Sequence, residues 1–291
     1  MRGRLNMGYR AYLIIASLAF LSCTAYNDPP RPTVQKSPAV IETSLNYRLG
    51  LASEISSMAV DRMGNCCYTD PAGWILASVG WDGSEMFRLN LTRHGDQLIT
   101  GGSETYWLIN FLDRKIRALD KKGQQTAEII YYGITVNTGA VTLAGEIYLL
   151  DGNNARIKVI DRQGHEVRSF QIQAEGDGVL RPGSISVDDS RNILALADGR
   201  NGKVVFYNLY GTKQSILNIP VGNHPQAVCF DYLGRIWTCQ PELGKVVIYS
   251  NKGSSWVAEA ELTLREPYAV AMSPFGSGAV VEDGNLVFVK F

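Results

Sequence analysis

Downstream of residue 55 the chain repeats one pattern six times. A short apolar run meets a turn bearing Gly or Asn, a second run ends near an acid, and a third run leads to another Gly turn. The plainest copies are PGSISVDDSRNILALADGRNGKVVFYNLYG (182–211) and PQAVCFDYLGRIWTCQPELGKVVIYSNKG (225–253), with an earlier one in AVTLAGEIYLLDGNNARIKVIDRQG (140–164). Val, Ile, Tyr and Phe dominate the runs, which suits pleated, half-buried strands. Equivalent positions lie 43 residues apart from Asp188 to Asp231, 42 from Asp231 to Ser273, and 127, or three steps, from Asp61 to Asp188. Four short strands in about 42 residues is the length of a propeller blade.

The innermost strand of each repeat is expected at 57–60, 97–100, 140–143, 184–187, 227–230 and 269–272. Turns carrying Gly64, Gly145 and Gly234 accept the positive φ that a tight hairpin demands. The sixth repeat stops at Phe291 without its outermost strand, while residues 41–49 (IETSLNYRL) read as a strand with no repeat of their own. Pairing that segment with residues 286–290 closes the ring and removes an exposed edge. The prediction is an all-β fold over residues 41–291, a six-bladed β-propeller of four-stranded blades closed by the N-terminal strand.

The repeat also carries a family resemblance. AVTLAGEIYLLDGNNARIKVID (140–161), with 182–208 and 225–250 behind it, resembles the NHL repeat of six-bladed β-propellers. The resemblance implies the fold and leaves function open, because such propellers include binding modules, lyases and lactonases.

Ahead of the repeats, Arg2, Arg4 and Arg10 precede an apolar stretch at 11–22, shorter than the ~20 residues a membrane-spanning helix needs. The stretch ends in Leu21-Ser22-Cys23, which resembles a bacterial lipobox. The resemblance implies a lipoprotein signal peptide at 1–22 and a lipid on Cys23. Thr24 stands where an inner-membrane retention signal has Asp, so an outer-membrane anchor is expected, the domain facing the periplasm or the exterior. Residues 23–40 hold four prolines and form an extended tether. From Cys23 onward the net charge is about −3, which excludes nucleic acid as a main partner and leaves the lipid as the membrane contact.

Chemistry is sparser. Propeller ligands gather where the loops between second and third strands, and those between successive blades, surround the central channel. On that face the candidate partner residues are Asp70, Trp74, Arg114, Asn154, Arg181, Arg200, His224, Glu242, Glu266 and Tyr268. His94 and His224 fall in opposed blades and are a weak candidate metal pair, short of the three protein ligands zinc takes unless Asp96 or Glu266 joins them. Asn137 and Asp198 match part of a lactonase-like calcium set, without a flanking motif. Cys229 and Cys239 flank one hairpin and are a candidate disulfide, the alternative being four buried thiols with Cys66 and Cys67. No CxxC, phosphate loop or GxSxG appears. The expected protein is a monomeric, non-catalytic binding propeller without a cofactor, contacting an envelope protein or a glycan. A metal-dependent lyase or lactonase and a small-ligand sensor are the alternatives.

Overall fold

The computed structural model describes residues 42–48, 55, 57–70, 74–91, 96–100, 105–173, 182–220, 223–253 and 255–290. The expected signal peptide, Cys23 and the tether lie outside these described residues.

Strand β1 (Glu42–Arg48) comes first. Blade one is β2 (Ser57–Val60), β3 (Cys66–Asp70), β4 (Ile75–Val79) and β5 (Glu85–Asn90). Blade two is β6 (Asp96–Thr100), β7 (Tyr106–Asn110), β8 (Lys115–Leu119) and β9 (Gln125–Ile130). Blade three is β10 (Thr138–Val141), β11 (Ile147–Asp151), β12 (Arg156–Ile160) and β13 (Glu166–Gln171). Blade four is β14 (Pro182–Asp188), β15 (Ile193–Asp198), β16 (Lys203–Tyr207) and β17 (Lys213–Asn218). Blade five is β18 (Ala227–Phe230), β19 (Ile236–Gln240), β20 (Lys245–Asn251) and β21 (Trp256–Thr263). Blade six takes β22 (Pro267–Met272), β23 (Ser277–Glu282) and β24 (Asn285–Lys290) from the C-terminus. Its fourth strand is β1, antiparallel to β24 from Glu42 opposite Lys290 to Arg48 opposite Asn285. The expected closure is therefore present, and the chain builds a six-bladed β-propeller.

The packing follows from the alternation within strands. Each blade buries both faces against its neighbours, so the core is six apolar wedges, each shared by two adjacent blades. The wedge between blades six and one joins Phe288, Leu286 and Val281 to Tyr68, Val60 and Val79. In blades one to five the pairing of third and fourth strands shifts register near the turn, at Ser78/Val79, Ala118/Leu119, Val159/Ile160, Phe206/Tyr207 and Ile248/Tyr249. A bulge at that place adds twist to the outer strand of those five blades.

Turns are held by a recurring acceptor. Asp61, Asp120, Asp161, Asn208 and Asp231 each accept, at one side-chain oxygen, the N–H groups two and four residues on, at 2.8–3.0 Å. A glycine of positive φ stands third after each, at 64, 123, 164, 211 and 234. These are Asx turns with a left-handed closing residue.

Blades are also stitched to one another. In the described residues, Leu98 N donates to Ser57 Oγ (2.7 Å), Val228 N to Ser184 Oγ (2.8 Å) and Phe230 N to Ser186 Oγ (3.0 Å). A hydroxyl of one inner strand thus satisfies an edge N–H of the next, which has no partner strand on that side. Gly183 lies in the same seam, where a Cβ would collide with the Gln226 carbonyl.

Candidate functional site

The propeller has two faces. Loops between second and third strands, with the connections between blades, form the loop face; the remaining hairpin turns form the turn face. The inner strands enclose a central cavity of about 170 Å³, lined from all six blades. Every described residue lining it is neutral, the polar ones being Ser57, Gln97, Thr138, Ser184, Ser186, Gln226, Cys229 and Tyr268. Several of these already have structural partners. Ser57 Oγ sits 2.8 Å from Thr69 Oγ1, and Gln97 Nε2 donates to Thr138 Oγ1 at 3.1 Å.

The acids that end the second strands build loops. Asp70, Asp151 and Asp198 are buried. Asp151 accepts from Asn154 N (3.1 Å) and Asn154 Nδ2 (2.7 Å), and Asp198 accepts from the same two groups of Asn201 at 3.4 and 2.7 Å. Asn154, expected to face a partner, is exposed and spends its N–H and Nδ2 on Asp151. The residue before each third strand then adopts left-handed φ: Trp74 (52°), Arg114 (56°), Ala155 (48°), Gly202 (60°), Gly244 (59°) and Gly284 (74°). In blades one to five its carbonyl accepts the N–H that ends the outer strand, from Leu91, Tyr131, Ile172, Ile219 and Leu264 at 2.5–3.0 Å. Trp74 and Arg114 are therefore loop-forming residues in positions glycine fills elsewhere.

Tyr268 has a similar structural use. Its hydroxyl accepts Ile55 N at 3.1 Å, tying blade six to the segment that enters blade one. Arg200, His224, Glu242 and Glu266 are exposed on the loop face, the last at φ 49°. Arg181 and His94 lie outside the described residues.

His224 and Glu242 meet. Nδ1 of the histidine lies 3.1 Å from Glu242 Oε1, and the His224 N–H donates to Oε2 at 3.4 Å. Glu242 reaches this position from a short 3-10 turn at Pro241–Leu243. Burial works against its ionisation, but its own backbone N–H and the bonds from His224 outweigh that and hold the carboxyl below its ordinary pKa. The pair is a carboxylate-oriented imidazole open to solvent, a geometry suited to moving a proton. Among the described residues no three His, Cys, Asp or Glu side chains converge as a metal-binding group. Asn137 Oδ1 accepts Gly152 N at 2.7 Å, so with Asp198 it serves loop structure.

The expected Cys229–Cys239 disulfide is a correction. Cys229 stands opposite Trp237 and Cys239 opposite Ala227, and both thiols are free, as are Cys66 and Cys67. Their offset is the diagonal one, about 7–8 Å across strands, beyond disulfide reach. Burial pushes the Cys229 thiol up to about 12 and raises Cys66, Cys67 and Cys239 further. None is a thiolate at neutral pH.

Three loop-face residues escape the sequence pattern. Leu112 (71% exposed) and Tyr132 (65%) project from blade two, and Leu243 projects from blade five. Their signal is a large apolar residue at a loop tip, out of phase with the strands.

No family model matches the chain. The curated Protein brain tumor of Drosophila melanogaster is 26% identical over 117 residues, 40% of this chain and 11% of that protein's length. Among solved structures, a streptogramin B lyase superposes with a TM-score of 0.62 at 14% identity, covering 86% of this chain and 97% of its own. The Cps50 (Swd1) β-propeller domain of Myceliophteria thermophila gives 0.58 at 13%, over 81% and 82%. A catalytically inactive His-to-Ala variant of virginiamycin B lyase from Staphylococcus aureus with quinupristin gives 0.56 at 16%, over 86% and 87%. At such identities the likeness is one of fold.

Proposed function

We propose that this chain is a non-catalytic binding module, an NHL-type propeller held to a bacterial outer membrane by a lipid on Cys23, whose loop face receives a protein partner. One observation carries the reading. Among the described residues the polar side chains lining the channel are neutral and several are spent on structure, whereas the loop face exposes the large apolar side chains Trp74, Leu112, Tyr132 and Leu243 together with Arg114 and Arg200. Aromatic, aliphatic and Arg side chains at rigid loop tips are the composition of an interface core. The test is recovery of a stoichiometric crosslinked partner from membranes. Leu112→Asp with Tyr132→Asp should abolish recovery while leaving the melting temperature unchanged, and retention of the partner refutes the surface. Recovery of a glycan would reassign the partner class.

A second reading, a lyase, is favoured by the His224–Glu242 pair on the loop face and by the fold shared with virginiamycin B lyase. It expects turnover of quinupristin by the purified domain, lost in His224→Ala. Absence of turnover removes it.

A further inference from the structure

Strand β24 starts from the loop face, after Glu282-Asp283-Gly284, and so ends on the turn face at Lys290. Because Glu42 pairs with Lys290, β1 begins on the turn face, and the 41 residues before it join the propeller there. The same face carries exposed apolar turn tips: Met63 (74%) in blade one, Leu143 (51%) in blade three, Tyr210 (71%) in blade four and Phe275 (39%) in blade six. Met63 and Phe275 are neighbours, since the guanidinium of Arg62 lies 5.0 Å from the Phe275 ring centroid.

Charge is sorted by depth on this face. Asp61, Asp188 and Asp231 are buried, their oxygens held by the turn N–H groups and neighbouring side chains. Lys121, Lys122, Arg162, Arg191 and Lys252 are exposed at or beside the tips, Lys252 paired with Glu259 at 2.7 Å, and the exposed acids at the same turns are Asp82, Glu85 and Glu166. A surface meeting this face thus encounters apolar tips among mixed charges in which the bases outnumber the acids, although the chain as a whole is slightly acidic. Apolar tips among Lys and Arg are what an anionic bilayer interface receives.

We propose that the turn face docks on a phospholipid bilayer, Met63 and Phe275 entering the headgroup boundary, so that the loop face points away from the membrane. This rests on the anchored reading, because Glu42, where the described chain begins, lies at the turn-face end of β1. A lipid on Cys23 would hold the domain near the bilayer; the turn face sets which way up it lies. The orientation leaves Leu112 and Tyr132 free for a partner.

The experiment places an environment-sensitive thiol label at Met63→Cys or at Leu112→Cys in the full chain. Cys66, Cys67 and Cys239 are buried and Cys229 is half-buried in the central cavity; signal from Cys229 and Cys23 is read from the labelled parent and subtracted. Each protein is mixed with phosphatidylcholine–phosphatidylglycerol vesicles whose acyl chains are brominated, and flotation is measured alongside. The label at 63 is expected to lose most of its emission and the label at 112 none. Quenching at 112, alone or together with 63, overturns the proposal. No quenching at either position while the chain floats with vesicles overturns the docking face and spares the anchor. No quenching and no flotation overturns both. Quenching at 63 that survives Cys23→Ser would show that the face binds lipid unaided.

Discussion

Asp231 illustrates how much one side chain holds. One carboxylate oxygen caps the turn at Leu233 and Arg235, while the other accepts from Arg235 Nε at 2.7 Å and Trp237 Nε1 at 2.9 Å, all in a buried setting. Asp231→Ala strands a buried guanidinium and should cost about 3 kcal/mol or more by denaturant titration. Backbone conformation sets a second expectation. Arg114 occupies left-handed φ, so Arg114→Gly should hold or raise the melting temperature, while the β-branched Arg114→Val should lower stability by about 1–2 kcal/mol. The turn acids were legible in the sequence as a repeat, but not their use. Trp74, Asn154 and Tyr268 read as partner-facing because polar and aromatic residues at loop positions look available. Only the assembled blade shows their atoms already engaged. Leu112 and Tyr132 were missed for the converse reason, since exposure at a loop tip is decided by neighbouring blades distant in sequence.

Strand positions were the most legible level. A period-2 pattern punctuated by glycine fixes each hairpin locally, and the observed inner strands fall on or within a few residues of those expected. The seams between strands of different blades were not legible, because their partners lie 41 to 46 residues apart. One such seam, seen in full among the described residues, joins blades three and four. Arg168 pairs both carboxylate oxygens of Glu146, at 2.9 and 2.6 Å, bonds Tyr148 Oη and Leu209 O, and lies over the rings of Tyr148 and Tyr210. Arg168→Ala should cost about 2 kcal/mol. The hydrogen bond from Arg168 outweighs burial and lowers the folded-state pKa of Glu146 below its unfolded value. The stabilisation it brings is therefore complete above the unfolded value and is lost as pH falls through the folded one. The melting-temperature gap between wild type and Glu146→Gln should be widest near neutrality and close on acidification, as the folded-state carboxyl takes up its proton. A gap that widens on acidification would contradict the pairing. Tyr268→Phe, which removes the acceptor for Ile55 N, should cost about 1 kcal/mol.

At the scale of the molecule, closure joins the two ends of the chain. Removing residues 42–48 uncovers the edge of β24 beside a wedge that holds Phe288, and should lower the melting temperature sharply and promote aggregation. Removing 24–36 should change neither, and equal tolerance of both deletions would mean that β1 does not close the ring. The closed ring leaves one face beside the point where the N-terminal residues join and the opposite face with apolar loop tips, and the functional reading depends on that division. The most direct test is photo-crosslinking in intact cells from a photoreactive residue placed at Leu112, Tyr132 or Tyr210. The account predicts one discrete protein adduct shared by positions 112 and 132 and absent from 210. A protein adduct confined to position 210, or none at 112 and 132 in a folded, correctly localised chain, would contradict it.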